Sequence, residues 1–124
     1  MASVLSNAWR AQITSLIVGA AKYLAWGTGA GTSAATDTTL FTEDSGGSPA
    51  YARISATLSR ITTSVTNDTV QAVDTIVANA SKTITNMGLF DALTSGNLYL
   101  KTDFTGVPLA NGEGIQMTFT HQLL

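Results

Sequence analysis

The chain has 124 residues, of which 44% are apolar and only 11% charged, and its formal net charge is −2. That length predicts one domain with a real core. The six cations (Arg10, Lys22, Arg53, Arg60, Lys82, Lys101) are scattered, which argues against nucleic-acid binding by counterion release, and the absence of cysteine excludes disulfides, iron–sulfur clusters and thiolate zinc sites.

Residues 4–20 carry the one helical signal. Leu5, Trp9, Ile13, Leu16, Ile17 and Ala20 recur at spacings of three and four, which places them on one face. Ser3 or Ser6 is the expected N-cap and Gly19 the expected stop. Trp9, if buried on that face, contributes about 2–3 kcal/mol. The apolar stretch Leu16–Trp26 is broken by Gly19 and Lys22 and is too short to cross a bilayer. No early basic cluster of a secretory signal precedes it, so the expectation is a protein made and used without export or membrane contact.

Tyr23–Trp26 reads as a short strand. The small-residue run 27–35, starting Gly27-Thr28-Gly29-Ala30-Gly31, reads as a loop, Thr38–Glu43 as a brief extended segment, and Asp44–Pro49 as a second loop. These two loops are expected to be the flexible part of the chain. From Tyr51 onward the strands lengthen. Ile54, Ala56 and Leu58 share one parity and Ile61, Thr63 and Val65 the other, which predicts a bulge or break near Ser59-Arg60. Asn67-Asp68 predicts a two-residue hairpin turn, with Val70–Ala78 as the returning strand. Thr83–Leu89 is the next strand, Asp91–Asn97 a glycine-containing turn, and Leu98–Phe104 another alternating strand. Gly106–Gly114 reads as a loop. The last ten residues alternate strictly, with Ile115, Met117, Phe119, His121 and Leu123 on one side. Six or seven strands and one helix predict an all-β fold, an antiparallel β-sandwich or flattened barrel with one N-terminal amphipathic helix. The organisation expected is a single unit, with residues 1–20 as a helical arm and 21–124 as the β body.

Catalytic and ligand signatures are weak. The run Gly27–Gly31 lacks the third glycine of a dinucleotide fingerprint and the Gly-Lys-Ser/Thr of a phosphate loop, so it reads as a plain loop. His121, the one histidine, lies between Phe119 and Leu123 without the partners a metal needs, and reads as a packed or interface residue. The eight carboxylates are dispersed, and no serine sits in a nucleophile elbow. The expectation is therefore no enzyme, no cofactor and no metal. Trp9, Trp26, Tyr23, Tyr51 and Tyr99 have the chemistry to stack on sugars, but aromatics at such positions are more often core or interface anchors.

Two stretches resemble a small family of tailed-bacteriophage structural proteins. One is Tyr23-Leu24-Ala25-Trp26-Gly27-Thr28-Gly29-Ala30-Gly31-Thr32 with Thr36-Asp37-Thr38-Thr39-Leu40-Phe41-Thr42-Glu43. The other is Thr83-Ile84-Thr85-Asn86-Met87-Gly88-Leu89-Phe90-Asp91 with Gly96-Asn97-Leu98-Tyr99-Leu100. The second is similar to a hairpin of phage tail-fibre and collar proteins. The resemblance implies a virion component, assembled in the host cytoplasm, whose partners are the major capsid protein or other virion subunits. Read as a complete short chain without a stalk, it points to a capsid decoration (cement) protein, with a tail-fibre, collar or head–tail adaptor piece as the alternative and a carbohydrate-binding module on the virion surface as another. A homo-oligomer is expected, a trimer by analogy with decoration proteins. Its weak contacts would sum by multivalency. The candidate subunit contacts are Trp9, Ile13 and Ile17 on the helix, and Leu40, Phe41 and Tyr51 around the loops.

Overall fold

A computed structural model of the chain describes residues 3–124. It contains one helix, α1 (Asn7–Val18), and seven strands: β1 (Tyr23–Gly27), β2 (Ile54–Ser55), β3 (Leu58–Ile61), β4 (Thr69–Val77), β5 (Lys82–Phe90), β6 (Leu98–Leu109) and β7 (Gly114–Gln122). They form two open sheets, ordered β2-β1-β5-β6 and β3-β4-β7. The all-β antiparallel class with one N-terminal helix is as expected, and neither sheet closes into a barrel. The chain groups into two compact units. The smaller comprises the chain up to Ala21, Thr57–Asp74 and Gln116–Leu124, and the larger comprises Lys22–Ala56 and Thr75–Ile115.

In the smaller unit, the Ser6 hydroxyl caps α1 by accepting from the Trp9 N–H, and Gly19 ends it. The buried residue of the helix is Thr14, not the aliphatic stripe of the spacing argument. Its hydroxyl donates to the carbonyl of Asn67 at 2.7 Å, and Arg60 on β3 donates to the carbonyl of Ala11 at 3.1 Å. Polar bonds set how the helix is turned, so Trp9 is 57% and Leu16 65% exposed.

The β3–β4 hairpin corrects two expectations. The strand is interrupted at Ala56-Thr57, where the chain changes sheets, while the parity of burial switches at Ser59-Arg60 as expected but without a bulge, since Leu58–Ile61 pair in unbroken register with Ala72–Thr69. The connection is no two-residue turn, since Ile61 pairs with Thr69 and residues 62–68 form a longer loop. Asp68 organises that loop. Its buried carboxylate accepts from the backbone N–H groups of Thr63, Ser64 and Val65 and from the side-chain amide of Gln122. Burial opposes its charge, but those donors outweigh burial and hold its pKa well below the ordinary carboxylate value.

In the larger unit, β1 and β5 are buried over consecutive residues rather than alternate ones. The two strands are central in the four-stranded order, and the segment after β1 returns over them. Leu40 forms a buried cluster with Ala25 of β1 and Phe90 of β5, against which Leu98 packs. Gly88 makes room for it, because a Cβ there would come within 2.9 Å of the Leu40 side chain. The glycine-rich loop is held rather than loose. The Thr28 and Gly29 N–H groups donate to the carbonyls of Thr42 and Phe41, the Thr85 hydroxyl donates to the Gly29 carbonyl, and the Ser33 N–H donates to Asp103. The extended segment expected at 38–43 is reduced to one bridge between Gly27 and Glu43.

Two further strand ends differ from expectation. β6 runs on to Leu109 through Pro108, which an edge strand tolerates because its outward side needs no donor. Only residues 110–113 remain as a loop. His121 is exposed near the end of β7, so it is not a packed side chain, whereas Phe119 of the same parity is buried.

Candidate interaction surface

The polar side chains of the larger unit converge on one another. Arg53, 7% exposed, donates from Nε and Nη2 to the two carboxylate oxygens of Glu43, each at 2.8 Å, and from Nη1 to the carbonyls of Ala92 and Ser95. Its guanidinium lies 3.8 Å from the centre of the Phe90 ring. The Tyr51 hydroxyl donates to Glu43 as well. The Arg53 hydrogen bonds hold the Glu43 carboxyl below its ordinary pKa, while burial raises that of Tyr51. These groups line a shallow cleft of about 440 Å³ together with Leu93. Every charged group in it already has a protein partner.

Two more clusters repeat this pattern. Asp44 accepts from the indole N–H of Trp26 at 3.1 Å and from the Lys82 ammonium, which also donates to Asn79 and the Ser45 carbonyl. Lys101 donates to Asp37 and to the Thr39 carbonyl and sits over the Phe41 ring. Asp37 and Lys101 line a second cleft, of about 330 Å³, beside Tyr99. In the second and third clusters the charges tie loop to strand, and in the first they tie loop segments to one another.

The six residues expected to contact neighbours therefore separate. Leu40 lies in the core of the larger unit, 6% exposed. Phe41 is half-buried under Lys101, and Tyr51 is half-buried edge-on to Trp26. Ile13 and Ile17 are half-buried on α1. Trp9 alone of the six presents most of its side chain. Exposed apolar groups not named as contacts are Val4 and Leu16 on the helical segment, Leu124, and Val77, Leu93 and Tyr99 in the larger unit. The helical spacing places Leu16 on the docking face, so its exposure is a departure; the alternation of Leu98 and Leu100 sets Tyr99 on the other side of its strand, and Leu93 sits in a turn without periodicity.

What this surface belongs to is decided by comparison with known proteins. The family described as podophage GP4 fiber I protein gp80 matches residues 4–121. The chain belongs to that family. It is thus a structural protein of a bacteriophage virion. Both stretches that resemble phage structural proteins fall inside the matched range of the fibre family. No curated protein matches the chain.

Proposed function

We propose that this chain is a fibre subunit of a podophage tail, with a structural and not a catalytic task. The observation that carries the reading is the fibre-family match over nearly the whole sequence. The geometry supports it. Charged side chains are used in pairs that fix loops in place, and large apolar side chains on α1 are left outside. Such an arrangement suits a rigid block whose contacts are made by its surface. The capsid-cement reading rests on the shortness of the chain, and a short chain serves equally well as one piece of a fibre.

The test is location in purified particles. Heads and tails are separated and the protein is quantified in each by mass spectrometry. A fibre subunit leaves with the tails and is missing from tailless heads. Retention on tailless heads in hundreds of copies would establish cement and overturn the fibre reading.

A further inference from the structure

One lysine of the larger unit is placed where its amine can react. Lys82 opens β5, and its side chain is only 12% exposed. Its Nζ donates at 2.8 Å to Oδ1 of Asn79 and also to the carboxylate of Asp44, whose side chain is 5% exposed. Both partners are fixed from behind. Asp44 accepts from the Trp26 indole N–H at 3.1 Å and from the Ser45 backbone N–H at 2.8 Å. Nδ2 of Asn79 donates to the carbonyls of Gly46 and Pro49, which turns Oδ1 toward Lys82. Gly47 closes over the amide, for a Cβ there would come within 2.4 Å of Cγ of Asn79.

An ordinary ion pair needs no carboxamide beside it. Lys101 is buried further, but its partners are Asp37, the Thr39 carbonyl and the Phe41 ring. Lys82 has an amide carbonyl and a carboxylate together. Amine, carboxamide and carboxylate held out of water are the three groups that an amide exchange requires: a nucleophile, an acyl group with a nitrogen to lose, and a proton carrier.

We propose that Lys82 and Asn79 are joined by an isopeptide bond, formed within the folded chain with Asp44 as the proton carrier. The Lys82 ammonium first passes a proton to Asp44. Exchanging an ion pair for a neutral pair costs less here than in water, because both groups are shielded. The freed lone pair of Nζ attacks Cγ of Asn79, the Nζ–Cγ bond forms, and the carbonyl electron pair moves onto Oδ1. Asp44 hands its proton to Nδ2, the Cγ–Nδ2 bond breaks as the carbonyl re-forms, and ammonia leaves. The surplus proton on Nζ returns through Asp44 to the ammonia, which departs as ammonium. Nothing is oxidised or reduced, and no further reactant enters. The product staples the end of β4 to the start of β5 in a chain that has no cysteine, wherever in the virion the subunit sits.

Mass spectrometry of the full chain, purified in its folded form, tests this. The wild type should be lighter than its sequence by about 17 Da, one ammonia. Trypsin should fail to cut after Lys82, so residues 61–101 should appear as one peptide carrying that loss instead of as 61–82 and 83–101. Lys82→Arg has no nucleophilic amine and should keep its full mass. Asp44→Ala should lower the cross-linked fraction by at least about tenfold, with circular dichroism as the check on folding. A wild type of full mass that trypsin cuts after Lys82 overturns the proposal, and it does so even if the variants fail to fold. Ammonia loss that persists in Lys82→Arg also overturns it. A loss of about 18 Da, one water, would make Asp44 and not Asn79 the acceptor, and contradicts the assignment.

Discussion

Asn86 holds Phe41 by both polar groups of its backbone. The Phe41 N–H donates to Oδ1 of Asn86 and Nδ2 of Asn86 donates to the Phe41 carbonyl, each at 3.0 Å. Asn86 is fully buried on a central strand, 45 positions away in sequence. A side-chain amide here supplements the backbone for a segment whose own pairing is limited to one bridge and the bonds from Thr28 and Gly29. Asn86→Ala should cost about 2–4 kcal/mol, because it leaves both backbone groups without that partner. Urea unfolding followed by tryptophan fluorescence measures it, and a loss below about 1 kcal/mol would mean the bracket contributes little.

Gly31 lies under the ring of the same residue. A Cβ at position 31 would sit 2.6 Å from the Phe41 ring. Gly31→Ala should therefore destabilise by about 1–3 kcal/mol. Shrinking the ring with Phe41→Leu in the same chain should return part of that loss, giving a coupling energy in a double-mutant cycle.

Arg53 joins Glu43, two carbonyls of the 91–97 turn and the Phe90 ring. Lysine cannot reproduce that fork or the stacking. Arg53→Lys should cost about 2–3 kcal/mol in chemical unfolding despite keeping the charge. A loss below about 0.5 kcal/mol, the size of an ordinary surface substitution, would show the fork to be dispensable.

Asp68 gives the smaller unit a defined acid limit. Its folded pKa lies below the ordinary aspartate value of 3.8, so its charged form is the one the fold prefers. The stability it contributes is fully present above that value and is lost as pH falls through the lower folded pKa. Thermal melts between pH 5 and pH 2 should show a falling transition (a range of about this width follows from the carboxylate values). Asp68→Asn should melt several degrees lower at neutral pH and flatten the acid limb.

Trp9 is the exposed member of the expected contact set. Trp9→Ser should change unfolding stability by no more than about 0.5 kcal/mol, as surface substitutions do. In phage carrying the variant, incorporation of the subunit into particles should fall. A large drop in stability would place the indole in the fold instead, and normal incorporation would remove it from the assembly surface.

Strand identity was legible where one sheet face alone is covered. The alternation of residues 115–123 located β7, and the helical spacing with Ser6 and Gly19 located α1. Alternation was silent for β1 and β5, whose buried runs result from the return of Leu40 and Phe41 over them. No local pattern encodes that return; Asn86 and the glycines at 27, 29 and 31 reveal their purpose only once Phe41 is beside them. The same limit applied to the contact residues. Hydrophobicity selected Leu40 and Trp9 alike, and only tertiary placement separates a core side chain from one left outside. The rotation of α1 was hidden for a different reason. It is set by the hydroxyl of Thr14 and the guanidinium of Arg60, polar groups that a search for apolar stripes passes over.

The seat of Phe41 also dictates an order of events during synthesis. Leu40 and Phe41 leave the ribosome well before Asn86, Gly88 and Phe90, the residues that receive them. Until β5 has been made, β1 has only the two-residue β2 and the single bridge to Glu43 to pair with. The first half of the nascent larger unit must therefore stay soluble without its partners, and closure waits on a distant segment, which slows it. A ribosome-stalled chain ending before Asn86 should remain open to protease around Trp26, and one extended past β6 should resist.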